Sequence, residues 1–347
     1  MPEAEVIPID GRSQSDPRRC RATTKDGKRC KRNSIGASGF CRTHGGREET
    51  RAEATEKARR QTARARVEDS PSDPRERIRS FMERRLAGNY EIDDFGFDEE
   101  LYRDVLMPLA RALYQDYFRV KTIGIDRIPA EGPALLVGNH SGTIPLDAVM
   151  MQHAVASEHP GHRVIRNMAA DLVWKSPFIS SLARKSGNAV ACDEDAHELL
   201  RRGELVGVFP EGFKGVGKGW KNRYRLQRFG RGGFIEVALR SRVPIIPVAI
   251  VGAEETYPMI ADLKPLAKAL GFPYFPITPT FPLLGPLGLI PLPSKWIIEF
   301  GEPIAMDDYP EDAADDAMLI FDLTDSIRDT IQQMLLRNLG LRKGTFG

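Results

Sequence analysis

The chain of 347 residues is poor in cysteine and has no long uninterrupted apolar run, and these shortages exclude several classes of protein. Only four cysteines are present and no secretion signal is recognisable, which argues against a disulfide-stapled secreted fold. No stretch is long and apolar enough to form a transmembrane helix. The Gly-x-Ser-x-Gly nucleophile elbow is also missing, which argues against a serine hydrolase.

Hydrophobic residues make up 41% of the chain, enough for one substantial core, and the charge is unevenly distributed. Residues 1–80 carry 20 Lys+Arg against 13 Asp+Glu, whereas the remainder carries 30 against 35. The amino-terminal quarter is therefore a basic appendage. We predict a disordered tail (1–16), a small module (17–47), a charged linker ending at Ser70-Pro-Ser-Asp-Pro74 (48–74) and one globular domain (75–347).

Within 75–347, strand-like apolar runs alternate with helical patterns, which predicts an α/β fold with a mixed sheet flanked by helices. The predicted strands are 134–137, 164–165, 189–191, 205–209, 245–251 and 296–300. The predicted helices include one around Ile78, Phe81 and Met82, followed by 101–118, 148–154, 177–183, 197–202, 233–239 and 314–339.

A histidine stands where the first of these buried strands ends. His140 follows the apolar run 134–137, and Asp147 is the nearest downstream carboxylate. Acyl transfer to a hydroxyl group needs a base that titrates near neutral pH, and imidazole meets that requirement. A carboxylate can hold the imidazole in the tautomer that leaves one nitrogen free. His140 and Asp147 are therefore a candidate catalytic dyad.

Three blocks in order, Asn139-His140 with Asp147, Phe209-Pro-Glu-Gly212 and Val243-Pro-Ile-Ile-Pro-Val248, resemble the glycerolipid (lysophospholipid) acyltransferase family. The resemblance implies transfer of a fatty acyl group from acyl-CoA or acyl carrier protein to a hydroxyl group of a glycerolipid or lysophospholipid. It makes His140 the base and Asp147 its partner. The substrate-binding candidates are Ser141, Gly142, Pro210, Glu211, Gly212 and Lys214.

Two features depart from the family pattern. Six residues separate His140 from Asp147 where four are usual, and a helical path would put the two about 10 Å apart along its axis. Gly142 and Pro145 favour a loop, with a helix beginning near Pro145. Asp147 is then either the partner of His140 or only a carboxylate that stabilises a helix N-terminus.

The second departure lies at 187–195, where relatives that bind a phosphate-bearing acceptor carry an arginine and this chain carries carboxylates. Carboxylates repel phosphate, so the pattern argues against such an acceptor. Lys214, Lys218, Arg223 and Arg225 are the cations left to supply a positive charge.

Cys20, Cys30, Cys41 and His44 are spaced as C-x9-C-x10-C-x2-H in a segment too polar for a core of its own. Four such ligands predict a structural Zn²⁺ that stabilises a small zinc knob over 17–47. The spacing resembles the Cys3His module of plant growth-regulating factors (the WRC module). Eight Lys or Arg residues against one Asp between Arg18 and Arg32 suit nucleic acid, anionic lipid or no partner at all.

Residues 269–294 carry no charge and contain seven prolines, which excludes a spanning helix. Such a loop lies in a bilayer interface, covers an acyl chain or packs against the core. We expect an acyltransferase attached peripherally to the cytoplasmic face of the membrane. The alternative is a catalytically inactive lipid-binding scaffold whose zinc module recruits a partner.

Overall fold

The computed structural model describes residues 74–346 apart from positions 143, 176 and 231. The predicted tail, the zinc module with Cys20, Cys30, Cys41 and His44, and the linker up to residue 73 lie outside the described residues. The structural account therefore concerns the globular domain. No helix in this described part combines the length and apolar character that a membrane crossing requires.

The helices and strands follow the alternation that the sequence predicts. The helices are α1 (Pro74–Leu86), α2 (99–117, with π-helical stretches at Tyr102–Leu106 and Ala112–Tyr117), α3 (Leu146–Glu158), α4 (Asp171–Trp174), α5 (Pro177–Lys185), α6 (Asp193–Arg201), α7 (Phe213–Val216), α8 (Gly233–Ser241), α9 (Lys264–Leu270) and α10 (Ala317–Leu341). The strands are β1 (Lys121–Ile123), β2 (Ala134–Gly138), β3 (Ile165–Ala169), β4 (Ala189–Val190), β5 (Leu205–Val208), β6 (Ile245–Val251), β7 (Ala261–Asp262), β8 (Pro276–Ile277) and β9 (Ile297–Phe300).

In the described residues, seven strands form one sheet in the order β1-β9-β6-β2-β5-β3-β4. Neighbouring strands are parallel except for the antiparallel pair β6 and β9. The predicted mixed sheet is confirmed. Both faces are covered: α6, α8 and α10 contribute to the core on one face, and α2 and α3 to the core on the other. This explains why β2 and β6 read as continuous apolar runs rather than as alternating ones.

The central strands β6, β2 and β5 are neighbours and run parallel, so their carboxyl ends meet at one edge of the sheet. His140, Glu211 and Glu254 follow these three ends within two or three residues. In open α/β sheets this edge is where binding groups collect. The topology thus brings together residues that are far apart in the sequence.

The carboxylate of Glu299 on β9 fastens the long helix α10 to the sheet. Glu299 is buried and accepts hydrogen bonds from Arg337 Nη2 at 2.6 Å and from Asn338 Nδ2 at 2.9 Å. Asn338 is fully buried, so without Glu299 its amide would lose a hydrogen-bond partner. One side chain thereby joins an interior strand to the last helix.

We expect Glu299→Ala to lower the free energy of unfolding by about 2–3 kcal/mol, because a buried amide is left unsatisfied. The matched control is Glu302→Ala, whose carboxylate is 77% exposed in its pair with Arg127, and this change should cost less than about 1 kcal/mol. Urea unfolding followed by circular dichroism measures both values. Equal, small losses for the two variants would contradict the role given to Glu299.

Candidate active site

The loop after β2 brings His140 and Asp147 into contact. His140 Nδ1 lies 2.8 Å from Asp147 Oδ2; the imidazole is 17% exposed and the carboxylate is fully buried. A carboxylate only accepts hydrogen bonds, so Nδ1–H donates, and in the neutral imidazole Nε2 is then the nitrogen that can accept a proton. Within the described residues no hydrogen bond is formed by Nε2. The pair has the geometry of a base held by an acid.

Between His140 and Asp147, the described residues before Leu146 lie outside any helix. Gly142 has φ +81°, a left-handed conformation that favours glycine, and α3 begins only at Leu146. Asp147 therefore lies in the first helical turn and points back to the loop, where its Oδ2 also accepts from Ser141 N at 2.8 Å. Asp147 fits both interpretations given by the sequence, because it is hydrogen-bonded to the imidazole and also lies at a helix N-terminus.

Two neighbours fix the position of the imidazole. Its ring stacks on Phe209, with 4.7 Å between ring centroids and an interplanar angle of 28°. Immediately before it, the buried Asn139 donates to Ile250 O at 3.0 Å and accepts from Ile250 N at 2.7 Å. The backbone at His140 is thus tied to β6 and the ring is held against the end of β5.

Glu211 holds the loop that contains His140. Its fully buried carboxylate accepts from His140 N at 3.0 Å through Oε1, and from Gln227 N at 2.6 Å and Lys218 Nζ at 3.3 Å through Oε2. Both oxygens are engaged by the protein and neither is exposed. The structure shows that this side chain positions the loop of His140, and a contribution of Glu211 to the acceptor pocket stays a prediction.

Lys218 lies between two buried carboxylates. Its ammonium is 3.3 Å from Glu211 Oε2 and 3.1 Å from Glu254 Oε1, and its side chain is almost completely buried. The suggestion that Lys218 supplies a charge for a substrate phosphate is therefore wrong. Tyr224 N also donates to Glu254 Oε1 at 3.0 Å. Even so, burial raises the pKa of Glu254 to about 7.

The remaining candidates surround this cluster at different depths. Ser141 and Gly142 are buried, Pro210 and Gly212 are half-buried, and Lys214 is exposed on α7. The Ser141 hydroxyl has no hydrogen-bond partner among the described residues. On α7, a Cβ at Gly215 would lie 2.7 Å from both His140 O and Glu211 Cβ, so only glycine fits there. A small cavity beside Gly142 is lined by Lys218, Trp220, Glu254, Tyr257 and Met259 among others.

A model of the acyltransferase family matches residues 119–251, the part of the chain that contains His140, Asp147 and Glu211. An uncharacterised protein of Mycobacterium tuberculosis (strain ATCC 25618 / H37Rv) is 53% identical over 269 residues, which cover 78% of this chain and 75% of the relative. The chain belongs to the acyltransferase family.

More distant similarities extend to animal and bacterial proteins. A Bos taurus protein described as a DGAT1/2-independent enzyme synthesizing storage lipids is 26% identical over 215 residues, 61% of this chain and 58% of the relative. The crystal structure of the 1-acyl-sn-glycerophosphate (LPA) acyltransferase PlsC from Thermotoga maritima aligns with a TM-score of 0.44 and 18% identity, over 71% of this chain and 84% of that one.

Sequence reasoning missed the parts that Phe209, Asn139 and Glu254 play in this acyltransferase-family site. Phe209 and Asn139 stand inside the recognised blocks, so their presence was visible although their contacts were not. The available signal for Glu254 was its place just after the buried strand β6, where a polar residue joins the same sheet edge as His140.

The raised pKa of Glu254 predicts a pH-dependent contribution to stability. Between its ordinary value of 4.5 and about 7, the folded protein keeps a proton that the unfolded chain has lost. The stability that Glu254 contributes should therefore fall as pH rises through this window, by up to about 3 kcal/mol. Urea unfolding of wild type and Glu254→Gln across pH 4.5–8 measures it. A constant difference between the two proteins would contradict the prediction.

Proposed function

We propose that this protein is an O-acyltransferase that moves a fatty acyl group from acyl-CoA or acyl carrier protein to a hydroxyl group of a glycerolipid or lysophospholipid. The observation that carries the proposal is the 2.8 Å contact between His140 Nδ1 and Asp147 Oδ2, with Nε2 left to accept a proton. Membership of the acyltransferase family supports the same reaction class. An inactive scaffold had its best support in the long His140–Asp147 spacing, and the contact between the two residues removes that support.

In the proposed reaction, His140 Nε2 takes the proton of the acceptor hydroxyl as its oxygen attacks the thioester carbonyl. Asp147 stabilises the imidazolium that forms. Backbone donors near Gly142 and Gly212 stabilise the negative charge on the carbonyl oxygen of the tetrahedral intermediate. The intermediate then collapses, the carbon–sulfur bond breaks, and the imidazolium returns its proton to the leaving thiolate. The products are an ester and a free thiol.

For the acceptor, we place glycerolipids without a phosphate group, such as diacylglycerol, ahead of phosphate-bearing ones. Asp193, Glu194 and Asp195 form the first turn of α6, in the segment where an arginine would mark a phosphate site. The similarity to an animal enzyme described as synthesizing storage lipids points in the same direction. For such substrates we propose that the protein attaches peripherally to the cytoplasmic face of the membrane.

We expect His140→Ala to reduce acyl transfer by about 10²- to 10⁴-fold without loss of fold, because the general base is removed. Release of CoA thiol from long-chain acyl-CoA, with and without glycerol 3-phosphate, lysophospholipids or diacylglycerol, measures the rate and identifies the acceptor. His197→Ala, which removes a half-buried histidine on α6, is the control and should leave transfer unchanged. A folded His140→Ala variant with wild-type rates would overturn the assignment.

We also propose that Cys20, Cys30, Cys41 and His44 bind one structural Zn²⁺ in a tetrahedral site. After dialysis, the purified full chain should then retain about one zinc per molecule by atomic emission, and Cys30→Ser should abolish that retention. The matched control is Cys192→Ser, which changes a half-buried cysteine of the globular domain and should retain the metal. Zinc-free wild-type protein, or full retention by Cys30→Ser, would refute the module.

A further inference from the structure

The segment between β6 and β9 presents an unusually apolar surface, and we call residues 260–290 the apolar excursion. Its exposed large side chains are Ile260, Leu263, Leu266, Leu270, Phe272, Leu283, Leu284, Leu287, Leu289 and Ile290. Leu283 is 83% exposed and Leu287 is 65% exposed. The alternative that residues 269–294 pack against the core therefore does not hold for the exposed side chains among them. A surface of this kind marks an interaction site.

The beginning of the apolar excursion, at β7, is joined to its later part, from β8 onward. The strands β7 and β8 pair at Ala261 and Ile277, and the ring of Phe275 lies 5.7 Å from that of Phe281. The excursion carries only three charged residues, Asp262, Lys264 and Lys268, and both lysines lie on α9. Its apolar side chains are thus displayed together, with ammonium groups as the main charge near them.

A second surface is strongly basic, and we call residues 214–228 the basic arc. From 212 to 230 the chain contains six Lys or Arg residues and no Asp or Glu. Lys218 is the buried member of the active-site cluster, whereas Lys214, Lys221, Arg223, Arg225 and Arg228 are exposed. Within the described residues none of these five forms an ion pair with a carboxylate. Their positive charge is available to a ligand outside the chain.

The two surfaces adjoin each other beside the base. Trp220 N, in the basic arc, donates to the carbonyl of Met259 at 2.8 Å, and the ring of Tyr274 packs against Gly217. Trp220 and Met259 also line the small cavity next to Gly142, two residues after His140. The apolar excursion and the basic arc therefore flank the candidate active site on connected segments.

We propose that the apolar excursion and the basic arc together form a docking surface for an anionic phospholipid leaflet. The exposed leucines enter the acyl layer, and the guanidinium and ammonium groups contact the headgroup phosphates. An anionic leaflet has an apolar layer directly beneath a layer of negative charge. This arrangement complements the apolar excursion and the basic arc beside it. The inference deepens the proposed function and rests on it in one respect: lipid substrates reach His140 from the leaflet.

The test is co-sedimentation of the full chain with vesicles of phosphatidylcholine alone or mixed with phosphatidylglycerol. Wild type should bind the mixed vesicles more tightly, and added salt should weaken this binding. The double variant Leu283→Glu with Leu287→Glu should lose about tenfold or more in affinity for both vesicle types. Arg223→Gln with Arg225→Gln should lose a similar factor for the anionic vesicles only. Met318→Glu, at a residue 71% exposed on α10, is the matched control and should bind like wild type.

Residues 1–80 are basic and are present in every variant, so differences between variants report on the globular domain alone. Full vesicle binding by both double variants would assign binding to the amino-terminal region and overturn the proposal. A wild-type dimer that becomes a monomer in the leucine variant, without a change in vesicle binding, would assign the apolar excursion to contact with a second copy of the chain. That result would also overturn the proposal.

A second readout separates this proposal from the proposed function. Transfer from a short-chain acyl-CoA to a dispersed acceptor, without vesicles, should be unchanged in the leucine variant because neither leucine contacts the base. Vesicle binding without any transfer would refute the acyltransferase and leave the docking surface standing. Transfer without vesicle binding would refute the docking surface and leave the acyltransferase standing.

Discussion

A carboxylate with no exposed surface must obtain its hydrogen bonds from the protein, and at Glu211 they come from two segments, the loop after β2 and the basic arc. His140 N, Gln227 N and Lys218 Nζ all converge on it. Removing any of these donors would leave a buried negative charge poorly compensated, which is strongly destabilising. The loops after β2 and β5 and the segment that follows are therefore held as one unit. The position of the imidazole depends on this unit, although Glu211 does not touch its ring nitrogens.

The sheet brings Glu211 and its donors close together because β6, β2 and β5 are neighbouring strands that end at the same edge. Each strand end delivers one member of the cluster, and Asn139 bonds the first of these ends to the backbone of β6. The packing leaves little slack, since Gly215 has no room for a methyl group between His140 and Glu211. A site built in this way is rigid on the protein side, which keeps the base in place before any substrate arrives.

Sequence reasoning succeeded where one local pattern dominates and failed where partners are distant. The buried strand 245–251 was predicted with its observed bounds, and Gly142 with Pro145 correctly indicated a loop before α3. The short edge strand β1 was missed because three half-exposed residues carry no periodic signal. Lys218 was misassigned because lysine is ordinarily exposed, and its burial depends on Glu254, 36 residues further along the chain.

Electrostatics links the site to its surroundings. Residues 81–347 are acidic overall, with 30 Lys+Arg against 35 Asp+Glu. From 212 to 230, however, every charged side chain is positive. This stretch therefore has a local excess of positive charge beside the base, which creates a local potential that attracts anions. Acyl-CoA, one of the two proposed donors, carries phosphates and would meet the same potential as the proposed anionic leaflet. The carboxylates at the start of α6 have the opposite sign. The proposed pair of substrates, an anionic donor and an acceptor without phosphate, is the pair that this division of charge favours.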